Sequence, residues 1–330
     1  MSAKERAGIF SETAARRDLP DTIVEKDFWV CWILKQLFSS REFEGRLLFK
    51  GGTSLSKVFH AINRFSEDLD LAVDYAALGF TGDRDPRQEG ISNTRRAAIL
   101  NQMMDACRDY ISGPFLTALG ARIHEVLGDA PWSLTVSPQD PNVVHFAYPA
   151  ATSGSLDYIA PHVVLELGTH AEFVPHDRFT IRSFVAEEFP KVVEDVEISL
   201  SALLAKRTFW EKATILHAEY YRPTEKSLPT RYSRHYYDVA RMAQGPIGAE
   251  ALADPALLAD VVRHKQTFYP SGWARYDVAR PGSLRLVPAD ARRTALERDY
   301  RSMGVMLFGE PPAFDLIMET LAELEREINT

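Results

Sequence analysis

Apolar positions recur at helical spacing in two stretches of the first forty residues, which predicts two helices. The second carries Ile23, Phe28, Trp29, Trp32, Ile33, Leu37 and Phe38 on one broad face, with Asp21 placed to cap it. Apolar runs at Leu47–Lys50 and at 69–73 predict strands, with a short helix from Ser54 to about Ile62 between them. Residues 79–93, rich in Gly, Asp, Arg and Pro, read as an exposed loop. Helical spacing returns over 94–119, where Ile99, Leu100, Met103, Met104, Cys107, Tyr110 and Ile111 recur. The period then shortens, and 122–127, 132–136, 143–148, 163–167 and 179–184 read as strands broken by Gly, Pro and Asp. From about Ile198 the pattern is helical to the end. The expected architecture is therefore α+β and bilobal, with an amino-terminal lobe over residues 1–195 and a helical lobe over 196–330.

Composition narrows the class without naming a chemistry. A chain of 330 residues with 45% hydrophobic and 25% charged content has ample material for two folded cores. The longest apolar run, residues 28–34, is far too short to span a bilayer, and the amino terminus shows no secretory pattern. Cys31 and Cys107 lie in apolar or helical surroundings and are expected to be buried, reduced thiols, which points to the cytoplasm. A net charge of −8 argues against a general nucleic-acid coat protein but leaves room for a local basic groove. Arg222, Lys226, Arg231 and Arg234, interleaved with Tyr220, Tyr221, Tyr232, Tyr236 and Tyr237, form one candidate. Such residues either stack bases and hold phosphates or make a solvated surface with half-buried tyrosines.

The densest chemistry lies between residues 50 and 71. The strand ending at Lys50 runs into Gly51 and Gly52, and Arg64-Phe65-Ser66-Glu67-Asp68-Leu69-Asp70-Leu71 follows. Strand side chains alternate faces, so Asp68 and Asp70 point one way while Leu69 and Leu71 point into the core. Two carboxylates so placed suit a pair of Mg²⁺ ions about 4 Å apart, the arrangement of two-metal phosphoryl transfer. Magnesium is commonly held by one or two carboxylates plus substrate phosphates. The paired glycines permit a tight turn whose backbone N–H groups approach phosphate oxygens. Glu166 interrupts the apolar strand 163–167, and a carboxylate there is costly unless paired or metal-bound. It either completes the acidic site, taking a proton from an attacking hydroxyl, or faces solvent or an arginine.

These residues resemble the AbiE-type (MenT-like) nucleotidyltransferase toxins. The resemblance runs from Gly51-Gly52-Thr53-Ser54-Leu55 through Asp68-Leu69-Asp70-Leu71. It extends upstream to Val24-Glu25-Lys26-Asp27-Phe28-Trp29-Val30, and downstream to residues 209–216 and 234–239. It departs from the family pattern at Ser56-Lys57 and Arg234-His235. The resemblance implies a polymerase-beta-like nucleotidyltransferase fold, Mg²⁺, a nucleoside triphosphate substrate and a toxin acting against a cognate antitoxin protein. It further implies an RNA acceptor, in some members the tRNA 3′ end, whose modification stops translation. Asp68 and Asp70 would be metal ligands, Lys212 a triphosphate contact and Asp238 a further active-site acid; Gly51, Gly52, Thr53 and Ser54 would hold phosphate. On the residues alone, Lys212 also fits a surface lysine beside Glu211, and Asp238 a surface partner of Arg234. Two rival functions share the pattern. One is nucleotidylation of a small molecule such as an antibiotic, or of a protein. The other is a non-catalytic module that only binds a partner, which the intact Asp68 and Asp70 oppose.

Overall fold

The computed structural model describes residues 1–66, 68–152, 160–193 and 196–330. Glu67 of the acidic stretch and Asp195, at the expected domain cut, lie outside them. The chain separates into two compact units, one of Met1–Val58 with Glu67–Ala202 and one of Phe59–Ser66 with Leu203–Thr330. The segment just before the acidic strand therefore folds with the carboxy-terminal residues, which no single cut in the chain anticipates.

The first unit is built on a seven-stranded mixed sheet. Its elements run α1 (Ala3–Arg17), α2 (Asp21–Phe38), β1 (Leu47–Lys50), α3 (Gly51–Lys57), β2 (Asp68–Val73), α4 (Asn93–Tyr110) and α5 (Leu116–Leu127). Then come β3 (Ser133–Val136), β4 (Val143–Ala147), β5 (His162–Gly168), β6 (His176–Ile181), α6 (Phe184–Glu188) and β7 (Ile198–Leu203). The strand order is β3-β4-β5-β2-β1-β7-β6. β2 lies antiparallel to β1 and parallel to β5, which places the acidic strand in the middle of the sheet.

Alternation along these strands decides which face is dry. Leu69 and Leu71 of β2, Val163, Leu165 and Leu167 of β5, and Val144 and Phe146 of β4 are all buried in one core. Trp29, Ile33 and Leu37 of α2 and Leu119 and Ile123 of α5 belong to that core, with Trp29 stacked on Tyr148 at 5.4 Å between ring centroids. α1 begins at a capping box formed by Ser2 and Glu5.

Several local expectations are corrected. Asp21 is the first helical residue of α2 and does not cap it; Pro20 holds the N-cap position with no side-chain bond. The helix after β1 starts at Gly51 and ends at Lys57. Residues 122–127 are helical, because one π turn over Ile111–Phe115 carries the helical path past Pro114 into α5, which stops at Gly128 in the left-handed region. Residues 198–203 form β7, with Ile198, Leu200 and Ala202 inward and Ser199 and Ser201 more exposed, so the helical run begins only at Ala205.

The second unit is helical: α7 (Ala205–Tyr220), α8 (Ser233–Ala243), α9 (Pro246–Leu252), α10 (Pro255–Phe268), α11 (Asp290–Ser302) and α12 (Phe314–Asn329). Phe209, Trp210, Tyr236, Val239, Leu258, Val261, Leu296 and Leu321 are buried in it. The arm 59–66 is tied in by backbone bonds, Phe65 N donating to Met306 O at 2.7 Å and Phe308 N to Asn63 O at 3.0 Å. Among the described residues no helix is long and apolar enough to cross a membrane.

Candidate active site

In the first unit, the wet face of the sheet gathers the acids. Residues paired across neighbouring strands share a face, and the register sets Asp70 beside Glu166 and Asp68 beside Val164. Asp68 and Asp70 are half-buried and Glu166 is exposed, whereas Leu69 and Leu165 between them are fully buried. On the other flank Lys50 stands opposite Asp70. Lys50 had no role in the sequence reading, although its place at the strand end before the glycines marks it.

Gly51 explains itself here. Its φ is +78°, and a Cβ added to it would lie 1.9 Å from Asp70 Oδ2. The glycine is thus needed twice, for the left-handed turn and to admit the Asp70 carboxylate against the backbone. Gly52, Thr53 and Ser54 follow, buried in α3. The Thr53 hydroxyl donates to the Asp68 carbonyl at 2.6 Å, so this side chain braces the start of β2. Asp68 and Asp70, two oxygen donors on one accessible face, match the carboxylates that Mg²⁺ takes together with substrate phosphates. Among the described residues no group of three or more His, Cys, Asp or Glu side chains stands ready to hold a metal by itself.

The resemblance segment on α2 is also accounted for within this unit. Glu25 accepts from Ala151 N at 2.6 Å and Thr152 N at 3.0 Å, and Lys26 Nζ donates to Ala160 O at 3.0 Å. Asp27 accepts from Lys57 Nζ at 2.6 Å and from Phe184 N at 2.7 Å. Lys57 is buried in that pair and lies over the Phe184 ring, a structural place.

In the second unit, Lys212 and Asp238 belong to one buried cluster. Asp238 is wholly buried, and its two oxygens accept from Arg64 Nε at 2.8 Å and Arg64 Nη2 at 2.9 Å. Lys212 Nζ lies 2.9 Å from Asp238 Oδ2 and 3.5 Å from His235 Nδ1. Burial alone would raise the Asp238 carboxyl, but the adjoining Arg64 and Lys212 outweigh it and hold it well below the usual carboxylate range. Burial, then the positive charges of Lys212 and Arg234, push His235 well below its ordinary value, so it is neutral. Burial likewise lowers the Lys212 ammonium, opposed by Asp238.

Neither surface reading survives: Lys212 does not lie beside Glu211 in solvent, and Asp238 pairs with Arg64, not Arg234. Arg64 had no assigned role because its partner is 174 residues away in sequence. Its place in the quoted stretch, before two acids, was the only signal.

The basic and aromatic surface of this unit differs from the expected one. Tyr236 and Tyr237 are buried, and Arg231 N donates to Asp299 at 2.7 Å. Arg222 and Lys226 instead flank the Trp273 ring at 5.5 and 5.4 Å, while Arg285 lies over Tyr220 at 5.3 Å and Arg275 over Tyr221 at 5.7 Å.

Residues 32–320 match the family model described as nucleotidyl transferase AbiEii toxin, Type IV TA system. Among solved structures the chain is similar to MenT4, nucleotidyltransferase toxin Rv2826c from Mycobacterium tuberculosis H37Rv. The two are 15% identical with a TM-score of 0.49, covering 98% of this chain and 89% of that one. No curated protein matches the chain.

Proposed function

The chain belongs to the AbiEii family of nucleotidyltransferase toxins of type IV toxin–antitoxin systems, and from that premise we propose a specific reaction. It transfers a nucleotide from a nucleoside triphosphate to an RNA acceptor, the tRNA 3′ end being the natural target, and so blocks translation. The observation that carries this reading is the pairing of Asp68 and Asp70 on the wet face of β2, with Gly51 vacating the space that Asp70 fills.

The acceptor hydroxyl attacks the α-phosphate in line, a new phosphodiester forms, and pyrophosphate leaves. Bound Mg²⁺, held by Asp68 and Asp70, would neutralise charge developing on the phosphates. Glu166, beside Asp70 in register and exposed, takes the proton from the attacking hydroxyl. The Gly51-Gly52 turn accommodates the phosphates, with Thr53 and Ser54 supporting it. Asp238, whose oxygens are taken by Arg64 and Lys212, holds the Lys212 ammonium within the second unit and is not a base.

The RNA acceptor is what the family resemblance implies. The cation–aromatic surface of Trp273, Tyr220 and Tyr221 is compatible with it only through Lys226, since Arg222, Arg275 and Arg285 are paired with Glu219, Asp277 and Glu325. Its antitoxin would be the cognate partner that the family's system requires.

The test incubates purified protein with each labelled nucleoside triphosphate, Mg²⁺ and total bacterial RNA, then separates RNA, protein and small molecules. Label should enter RNA of tRNA size and vanish with EDTA. Expression of the chain should arrest bacterial growth, and Asp70→Ala should relieve it. Label in protein or in a small molecule would replace the acceptor assigned here, and arrest that persists equally in Asp70→Ala would point to binding alone.

A further inference from the structure

The wet face of the sheet continues beyond the acids. β5 and β4 are antiparallel neighbours, and the register sets His145 beside Val164 and His162 beside Ala147. Val164 is itself the partner of Asp68. One row across the sheet thus reads Asp68, Val164, His145, and the next row carries Asp70 and Glu166. His145 and His162 are diagonal neighbours whose rings meet edge to face at 4.7 Å, both half-buried on the accessible side. Their strands need nothing polar there: the opposite face of the same strands is Val144, Phe146, Val163 and Leu165, all fully buried.

The strand order gives this face two flanks. Gly51 and Lys50 lie on the β1 side of the acids, and Glu166, His145 and His162 lie on the β5 and β4 side. In-line displacement requires entering and leaving groups on opposite sides of the phosphorus. If pyrophosphate leaves over the glycine turn, the attacking hydroxyl enters from the β5 side. The strand spacing puts His145 about 10 Å from Asp68, with half-buried Val164 as an apolar floor between them.

From this we infer that His145 and His162 form the acceptor subsite, binding the RNA 3′ end next to its reacting hydroxyl. The imidazoles offer ring nitrogens to ribose or phosphate oxygens and a face to a base, while Val164 packs under the sugar. The two histidines act on acceptor affinity and placement, not on bond making. This assignment rests on the RNA-transfer reading above.

The test uses full-length protein, total bacterial tRNA as the acceptor probe and the labelled triphosphate that the wild type accepts. His145→Ala, His162→Ala and the double variant are compared with wild type, each checked for an unchanged thermal midpoint. The double variant should raise the KM for tRNA by about tenfold or more while the KM for the triphosphate stays within about twofold. His162→Phe, which keeps a ring but no nitrogen, should recover part of that loss if the contact is stacking. A double variant with unchanged KM for tRNA, or one whose KM for the triphosphate rises as much, overturns the subsite while leaving RNA transfer standing. A wild type that labels no RNA overturns both.

Discussion

Asp70 and Asp238 are carboxylates in opposite circumstances. Asp70 sits on the wet face of a central strand, half-buried, pressed against a glycine backbone that has no side chain to displace it. Asp238 is wholly buried and saturated, bidentate with Arg64 and bonded to Lys212. The first arrangement leaves a carboxylate on the accessible face of the sheet, which a hard cation requires. The second spends its capacity on protein cations, which suits architecture. A carboxylate in a nucleotidyltransferase is thus not a ligand or base by virtue of its type. Burial and partner count decide.

The sharpest way to break this contrast is to remove each acid and read two quantities. Asp70→Ala should lower transfer at least about 10³-fold, since several kcal/mol of transition-state stabilisation goes with the metal. Its stability should move by no more than about 0.5 kcal/mol, as expected for a change away from the core. Gly51→Ala should lower transfer as well, because the new Cβ lies 1.9 Å from Asp70 Oδ2 and must displace the carboxylate. It should also cost stability, since a side chain at φ +78° is strained. Initial rates with labelled triphosphate and chemical unfolding measure both quantities. Substantial transfer in Asp70→Ala would sink the metal assignment.

Asp238→Ala should reverse the balance. It strands Arg64 and Lys212 as buried cations without their carboxylate, a loss of about 3–5 kcal/mol. The same change frees the arm 59–66 from the Arg64–Asp238 tie. A urea midpoint unchanged from wild type would show that the cluster is not structural, and the reading of Asp238 as an active-site acid would stand again.

How much of this was visible beforehand follows from the reach of each interaction. Leu47–Lys50 and the run through Asp68 and Asp70 were legible because strand alternation and a glycine pair are local signals. The wet and dry faces of β2 followed from the same alternation. Residues 122–127 were misread because Gly120 looks like a break after the helix expected over 94–119, while the structure carries the helical path through it to Leu127. β7 was missed although Ile198, Leu200 and Ala202 alternate with serines, because the helical pattern after it is stronger. The Arg64–Asp238 pair was not legible, since no local pattern connects residues 174 apart.

The smallest effect concerns acid. Arg64 and Lys212 hold the folded Asp238 carboxyl well below its unfolded value near about 3.9, despite burial. Between the folded and unfolded values the unfolded chain binds more protons, so stability rises with pH there. The contribution is fully present above about pH 5 and is lost as pH falls below about 4 toward the depressed folded value. It is on the order of 2–3 kcal/mol for a carboxylate so held. Asp238→Asn keeps the shape of the side chain but has no proton to gain. The variant should be less stable than wild type at pH 7, and the gap between them should narrow as the pH is lowered from about 5 to 3. Urea unfolding at several pH values measures the gap directly. A gap that stays constant across that window would mean that Asp238 does not titrate between folded and unfolded states, and the cluster's charge would have to be balanced elsewhere.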